Sequence, residues 1–284
     1  MTLKKSSKTG PKIAKKRTNA RYGWVPDLPD HRDFTYAAPG RRTTADSETT
    51  VDLRPHCPPV YDQGPVGSCT GNAIAAALEF AMIKQGEDAF TPSRLFIYYN
   101  ERAMEGTIAL DAGAQIRDGI KSVASQGDCP ETMWPYDMTR ADPNTNLFPE
   151  GARAATQPSD ECYAEAVKHE ALTYLSVAQN LADMKGCLAE GFPFVFGFTV
   201  YESFESKEVA MGDNAGWVPM PKSGEAVLGG HAVVAVGYDN DDRVFICRNS
   251  WGTGWGDQGY FYMPYAYFLD DNLSNDFWTI RLVE

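Results

Sequence analysis

The chain has few of the residues from which metal and cofactor sites are usually built. It contains four histidines and six cysteines among 284 residues. No two cysteines have the spacing of a zinc knuckle and no histidine pair lies one helical turn apart, so we expect no bound metal. A phosphate loop of the Gly-Lys-Ser/Thr type is also missing, and we predict no cofactor. These absences favour chemistry carried out by side chains alone.

Long apolar runs are lacking as well. No stretch approaches 18 uninterrupted apolar residues, which excludes a transmembrane helix of ordinary length. No apolar segment follows the first lysines, so we expect no secretory signal peptide and favour a cytoplasmic location. With 43% hydrophobic residues the chain can still bury a large core, and we expect a globular monomer.

Acidic residues are missing from the first 22 positions, where eight basic residues lie. The whole chain has 26 Lys/Arg and 38 Asp/Glu, so the remainder carries 18 basic against 38 acidic side chains, a formal charge of −20. We interpret residues 1–21 as a disordered basic arm. The alternative is that residues 4–21 bind a polyanion. The basic residues are Lys4, Lys5, Lys8, Lys12, Lys15, Lys16, Arg17 and Arg21.

Residues 22–50 differ from the arm. Two prolines and four aromatic residues in positions 22–36 predict an extended segment anchored by its rings. Two interpretations remain open: a prosegment lying across a cleft, as in a zymogen, or a strap that covers apolar surface. Residues 37–50 are polar and predict a linker open to cleavage.

The strongest motif surrounds Cys69. The stretch Val60-Tyr-Asp-Gln-Gly-Pro-Val-Gly-Ser-Cys-Thr-Gly-Asn-Ala73 leads from a turn into an Ala-rich helical pattern ending near Gln85. Cys69 is therefore expected at the start of a helix, where free N–H groups favour a thiolate. Gln63 lies across the turn and can direct its amide toward the same point. Two donors beside a nucleophile would form an oxyanion hole.

A cysteine nucleophile needs a base, and His231 is the best candidate. It opens an apolar β-branched run, while Asn249 follows the next predicted strand, Val244–Arg248. A Gly/Asn/Asp-rich turn between the two predicts a hairpin that brings His231 and Asn249 together. The Asn249 oxygen can then orient the imidazole, and Trp251 can keep water from that hydrogen bond.

In these motifs and their order the chain resembles the papain-like cysteine peptidases, the family of papain and the cathepsins. The resemblance begins near Val51 and is most specific at Gly230-His-Ala-Val233 and Asn249-Ser-Trp-Gly-Thr-Gly-Trp-Gly256. Thr70 replaces the aromatic residue usual after the nucleophile, and Val66 replaces a disulfide cysteine. This variant pattern resembles the bacterial-type branch that includes xylellain.

The resemblance implies roles for seven residues. Cys69 would be the nucleophile, His231 the acid and base, Asn249 its orienting partner and Gln63 the oxyanion donor. Gly113 would pair its backbone with a substrate strand, and Gly230 and Trp251 would line the same cleft. His231 and Asn249 lie 162 and 180 residues after Cys69, beyond the roughly 130–150 residues usual for the family. An insertion is therefore expected in residues 139–161 or 202–225.

The resemblance also implies an α+β, papain-like two-lobed fold with the active-site cleft between the lobes. We predict a helical lobe at roughly residues 60–165 and a β-rich lobe at roughly 166–284, within a peptidase domain spanning 51–284. With Cys69 as nucleophile five cysteines remain, which favours free thiols; a single disulfide such as Cys57–Cys129 is the alternative.

The predicted activity is hydrolysis of peptide bonds in peptides or proteins through a thioester, by an endopeptidase. Transfer of the acyl group to an amine instead of water is one alternative. A catalytically silent peptide-binding protein is another, although all four catalytic positions are filled.

Overall fold

A computed structural model describes residues 22–28, 30, 33–36 and 49–283. The basic arm predicted for residues 1–21, including its proposed contact with a polyanion, lies outside these residues, as does most of the predicted linker. Within the described residues no helix has both the length and the apolar character needed to cross a bilayer.

The first helix, α1 (Cys69–Gln85), is the central element of the fold and has the predicted bounds. Its residues are buried on every side from Cys69 to Met82. Alanines at positions 73 and 75–77 let neighbouring backbones approach closely, since their side chains are a single methyl group. The helix ends at Gly86, whose φ of 75° no β-branched residue adopts easily.

The helices α2 (Arg94–Glu105) and α3 (Ile116–Ser125) pack against α1 and form a helical layer with it. The remaining helices are α4 (Asp160–Ala166), α5 (Leu181–Ala189), α6 (Lys207–Met211) and α7 (Tyr265–Leu269), of which α5 and α7 pack against strands of the sheet. Ser93 caps α2 by accepting a hydrogen bond from the Phe96 N–H, and Ser159 caps α4 by accepting one from the Cys162 N–H.

The strands form one sheet with the order β1-β3-β8-β4-β5-β6-β7, in which β2 also pairs with β5. All neighbouring pairs are antiparallel except β1 with β3. The strands are β1 (Thr35–Tyr36), β2 (Thr50–Asp52), β3 (Ala171–Val177), β4 (Phe194–Tyr201), β5 (Val227–Asp239), β6 (Val244–Arg248), β7 (Tyr260–Pro264) and β8 (Ser274–Val283).

The predicted β5–β6 hairpin is confirmed, and it fixes the position of His231. Val234 pairs with Arg248 across the hairpin, while His231 pairs with Phe198 on β4. The turn contains Arg243 with φ of 58°. Since Asn249 directly follows β6, the hairpin register places it beside His231.

Two buried clusters hold the layers together. One contains the aromatic side chains of β4, α7 and β8, including Phe194, Phe196, Phe268 and Phe277. The other joins the alanine face of α1 to apolar side chains of β5 and β8. The second cluster lies between the helical layer and the sheet, so it fixes how Cys69 on α1 sits against β5.

Candidate active site

Cys69 is the first residue of α1 and is completely buried. Backbone N–H groups of Ala232 on β5 and of Gly23 act as hydrogen-bond donors to its sulfur. Ala232 directly follows His231, so the hydrogen bond to Ala232 brings the start of α1 against the strand that carries the histidine. The structure therefore places Cys69 and His231 on opposite walls of one site.

His231 and Asn249 form the predicted pair. The Nε2 atom of His231 lies 2.8 Å from Oδ1 of Asn249, and both residues are buried. The indole of Trp251 stacks on the imidazole with ring centroids 4.9 Å apart and an interplanar angle of 27°. This stacking keeps solvent from the hydrogen bond and limits rotation of the ring.

Gln63 is held at the site by a residue that the sequence interpretation missed, Ser250. The Ser250 hydroxyl donates to Oε1 of Gln63 at 2.6 Å, and the Gln63 backbone N–H donates to the Ser250 carbonyl at 2.9 Å. The Gln63 amide nitrogen donates to the Val66 carbonyl at 2.8 Å. Adjacency to Asn249 was the only sequence signal for Ser250.

Burial dominates the electrostatics of Cys69 in this structure. Desolvation raises the pKa of the Cys69 thiol to about 12, while the N–H groups of Ala232 and Gly23 oppose the rise. The thiol is therefore neutral in this conformation, although the sequence predicted a thiolate at a helix start. The difference arises because another segment of the chain covers the sulfur.

The covering segment is residues 22–28, which we call the occluding segment. The backbone N–H of Trp24 donates to the Gly230 carbonyl at 3.1 Å, and the backbone N–H of Val25 donates to the Ala114 carbonyl at 3.0 Å. Ala114 in turn donates to the Gly23 carbonyl at 2.7 Å. Two hydrogen bonds with the helical layer and one with β5 thus hold the segment between the two walls.

Backbone pairing with the occluding segment is made by Ala114, the residue after Gly113. The pairing of Gly113 with a substrate strand stays a prediction. Ala114, not Gly113, makes both hydrogen bonds, while the Gly113 N–H donates to the Tyr98 hydroxyl at 3.2 Å. Gly113 has φ of 75°, and a Cβ there would lie 2.0 Å from the Gly23 carbonyl oxygen. Gly113 therefore shapes the turn that presents Ala114.

The aromatic side chains of the occluding segment lie on either side of Cys69. The Tyr22 ring lies 6.1 Å from both the His231 and the Trp251 rings, measured between centroids. The Trp24 indole lies on the opposite side, and its Nε1 donates to Oδ2 of Asp276 at 2.9 Å. Both side chains are buried, so the segment fills the site along its length.

Behind Cys69 lies a buried carboxyl group that the sequence interpretation also missed. Glu101 is fully buried on α2 and hydrogen-bonds with the hydroxyl of Thr70. Burial raises the pKa of Glu101 well above its usual range, which favours the neutral, protonated carboxyl. The residue after the nucleophile thus faces a polar interior contact where the family usually has an aromatic ring.

Among the described residues no group of three or more His, Cys, Asp or Glu side chains is arranged to hold a metal ion. All six cysteines are free thiols. Cys57 and Cys129 belong to different buried clusters, so the pairing considered from sequence is not made. Cys129 instead packs with Cys162.

A cysteine at a helix start, facing a His–Asn pair on a sheet across a cleft, is the arrangement of a thiol peptidase. The chain belongs to the papain family of cysteine proteases, whose family model matches residues 47–268. The resemblance predicted from the motifs is confirmed, and so is the α+β, papain-like fold.

Individual relatives support this assignment. Xylellain, a cysteine protease from Xylella fastidiosa, is 46% identical; the match covers 96% of this chain and 100% of xylellain, with a TM-score of 0.87. An uncharacterized peptidase C1-like protein of Acanthamoeba polyphaga mimivirus is 42% identical over 92% of this chain and 87% of its own length. Procathepsin B of Trypanosoma congolense shares the fold at 16% identity, with a TM-score of 0.67 over 86% of this chain and 80% of its own.

Proposed function

We propose that the protein is a cysteine endopeptidase whose active site is closed by residues 22–28. The observation that carries this proposal is the position of Cys69 between two elements. On one side, the backbone N–H of Ala232, the residue after His231, donates to the Cys69 sulfur. On the other side, Gln63 lies across the turn that leads into Cys69. These are the positions that acyl transfer through a thioester requires.

In the proposed reaction, the Cys69 thiolate attacks the substrate carbonyl carbon while His231 holds the proton. The negative oxygen is bound by the Cys69 N–H and the Gln63 amide. His231 then gives its proton to the leaving amine, and the C–N bond breaks. Water, deprotonated by His231, attacks the thioester and releases the carboxylic acid and the thiol. Asn249 fixes the orientation of the ring throughout.

The path of the occluding segment supports endopeptidase action. The segment extends past Cys69 in both directions, toward Trp251 through Tyr22 and toward Asp276 through Trp24. A cleft that admits a continuous chain on both sides of the nucleophile does not require a chain end in its substrate. We therefore expect the enzyme to cleave internal peptide bonds of extended peptides.

The same segment is bound in a way that protects it from cleavage. Its Gly23 N–H faces the Cys69 sulfur, and the Gly23 carbonyl is held by the Ala114 N–H. The carbonyl therefore does not point to the proposed oxyanion donors at Cys69 and Gln63. We expect the segment to inhibit the enzyme rather than to serve as its substrate.

A point substitution tests this proposal more sharply than truncation, since Tyr22, Trp24 and Tyr36 contribute to the buried core. A Cβ at Gly23 would lie 1.7 Å from the Gly67 carbonyl oxygen, so Gly23→Ala should displace the segment. Gly254→Ala is the matched control, because a Cβ there meets nothing within 4 Å.

The measurement is covalent labelling of the full chain by an epoxysuccinyl thiol-peptidase inhibitor, followed by intact mass and by hydrolysis of a peptide substrate. We expect a single adduct that forms at least about tenfold faster in Gly23→Ala than in wild type or Gly254→Ala, and none in Cys69→Ala. Equal rates in all three cysteine-containing proteins would reject inhibition by the segment. No adduct and no hydrolysis in any folded variant would reject the peptidase.

A further inference from the structure

Two buried thiols outside the active site lie against each other. Cys129, in the turn that follows α3, and Cys162, on α4, share a buried cluster with Phe96 and Ala166. The two cysteines are 0% and 2% exposed, and a side-chain hydrogen bond joins their thiol groups. They are 33 positions apart in the chain, so it is the fold that brings them together.

The backbones that carry the two thiols approach each other closely. Gly127 has φ of 67°, and a Cβ there would lie 1.7 Å from the Ala166 carbonyl oxygen. The Asp128 backbone N–H donates to the His169 carbonyl at 3.3 Å. The turn is therefore held against the end of α4, and close approach of two backbones is the first requirement for a disulfide.

A buried carboxyl group lies beside both thiols. Asp128 is 1% exposed, and neither of its oxygens has a partner in hydrogen-bonding geometry among the described residues. Burial raises the pKa of Asp128 well above its usual range, and negative charge on Glu131 or Cys162 would raise it further. A carboxyl group in this position is costly to stability, but its proton affinity is closer to that of a thiol and suits it to accept a proton from one.

The surroundings of the two thiols differ. The Ser159 hydroxyl donates to the Cys162 sulfur at 3.5 Å, and such a hydrogen bond is stronger when the sulfur is negative. Burial and the negative charge of Asp128 raise the pKa of Cys129 far above its usual range, so Cys129 keeps its proton longer. We therefore assign the first nucleophilic step to Cys162.

We propose that Cys129 and Cys162 are a redox-active pair, which a small peroxide oxidises to a reversible disulfide while Asp128 carries the proton. The oxidant must be small because both sulfurs are sealed from solvent. This inference is independent of the proposed peptidase activity, since none of the three residues belongs to the active site.

The reaction balances with hydrogen peroxide as the only other reactant. The Cys162 thiolate attacks one peroxide oxygen, the O–O bond breaks and hydroxide leaves, which turns the thiol into a sulfenic acid. Cys129 passes its proton to Asp128 and attacks the sulfenic sulfur, so the S–S bond forms as the S–O bond breaks. Asp128 gives the proton to the departing hydroxide. Two thiols and one peroxide thus become one disulfide and two waters.

The disulfide would close a loop of 34 residues, from Cys129 to Cys162. This loop contains Tyr136, whose hydroxyl donates to the Gln63 carbonyl at 3.0 Å. Closing a loop of this length restricts the unfolded chain and stabilises the folded protein. We therefore expect oxidation to stabilise the part of the chain that supports the turn before Cys69.

The test treats reduced full-length protein with a small excess of hydrogen peroxide and samples it over time. Each sample is denatured, alkylated with N-ethylmaleimide and digested with trypsin without reduction; Cys129 lies in peptide 122–140 and Cys162 in peptide 154–168. The variants are Cys162→Ser, Asp128→Asn and, as the matched control, Cys57→Ser, which alters a half-buried cysteine of another cluster.

We expect wild type and Cys57→Ser to give peptide 122–140 joined to 154–168 and to lose the joined peptide on adding dithiothreitol. Cys162→Ser should give none. Asp128→Asn should form it at least about tenfold more slowly, because the attacking thiol has lost its proton acceptor. Oxidised wild type should unfold about 5 °C or more above the reduced protein, and peroxide should leave the unfolding temperature of Cys162→Ser unchanged.

Several results would overturn the proposal. Six alkylated thiols after treatment, or separate peptides 122–140 and 154–168 that each carry a sulfinic acid, would show that the pair does not form a disulfide. An equal rate in Asp128→Asn would show that Asp128 does not carry the proton. If Asp128→Asn fails to fold, the wild-type rate in deuterium oxide replaces it, and a rate equal to that in ordinary water would exclude the proton transfer.

Discussion

We predict that Asp27 makes the proposed closure of the active site dependent on pH. Its Oδ2 accepts from Trp278 Nε1 at 3.2 Å and its Oδ1 accepts from the Arg117 backbone N–H at 3.2 Å. Burial raises the pKa of Asp27 from 3.8 to about 7, the negative charge of Asp276 adds to the rise, and the charge of Arg117 opposes it. The docked segment thus holds a proton that a solvated aspartate would release.

The direction in which docking changes with pH follows from proton linkage. Below pH 3.8 Asp27 is neutral in both the docked and the released segment, and docking is strongest. Between pH 3.8 and about 7 the docked form binds more protons, so the docking constant falls by up to about tenfold for each pH unit. Above about pH 7 Asp27 is ionised in both the docked and the released segment, and the docking constant falls no further. The segment should therefore bind tightly in acid and loosen toward neutral pH.

The assay compares wild-type and Asp27→Asn full-length proteins by their rates of labelling with the epoxysuccinyl inhibitor from pH 5 to 7.5. Taking the ratio of rates at each pH cancels the titration of Cys69 and His231, which both proteins share. We expect the wild-type to Asp27→Asn ratio to rise by at least about tenfold over this range, because asparagine stays neutral. Asp30→Asn is the control, since Asp30 lies two residues beyond the occluding segment and forms an ion pair with Lys121 at 3.8 Å.

A ratio that stays constant with pH would show that the Asp27 carboxyl does not control docking. If the ratio of the wild-type to the Asp30→Asn labelling rate rose by the same amount, the total charge of this part of the chain, and not the Asp27 carboxyl, would control docking. A ratio that falls toward neutral pH would contradict the sign derived from burial.

The remaining predictions concern the oxyanion site and the core. In the Gly23→Ala protein, Gln63→Ala should lower kcat by about 10²–10³, and Ser250→Ala should lower it less with KM nearly unchanged, as measured by steady-state kinetics. An unchanged kcat in Gln63→Ala would show that Gln63 does not stabilise the oxyanion. Phe196→Ala should lower the free energy of unfolding by about 3–5 kcal/mol in denaturant titration, because the ring packs among Phe198, Phe268 and Phe277. Phe34→Ala, at a 75% exposed position, should cost less than about 0.5 kcal/mol, and equal losses would contradict the assignment of the core.

Local patterns in the sequence were enough to predict several elements of the fold. Small residues and a terminating glycine delimit α1, and alternation with a turn delimits the β5–β6 hairpin. The order Gln63, Cys69, His231, Asn249 was sufficient for the family, because each lies in a motif whose neighbours are equally distinctive. These predictions depend on interactions between residues close together in the chain.

Contacts between distant parts of the chain could not be predicted in this way. The hydrogen bonds between Ser250 and Gln63 and between Glu101 and Thr70 leave no periodic pattern in the sequence. Pairing of Ala114 with Gly23 and Val25 depends on how the turn after Asp111 meets the occluding segment. No pattern near Asp276 indicated that this residue would accept a hydrogen bond from Trp24.

The sequence by itself determined the family, the main helices and strands and the four candidate catalytic residues, since short motifs and local periodicity encode them. Only the tertiary structure showed where residues 22–28 lie, which is the basis for proposing that they close the site. It places Gly23 against Cys69, lets Trp24 fill a pocket between glycines and brings Asp27 beside Asp276. Those contacts join residues about 45 to 250 positions apart, and their energies come from burial and register that no local pattern records.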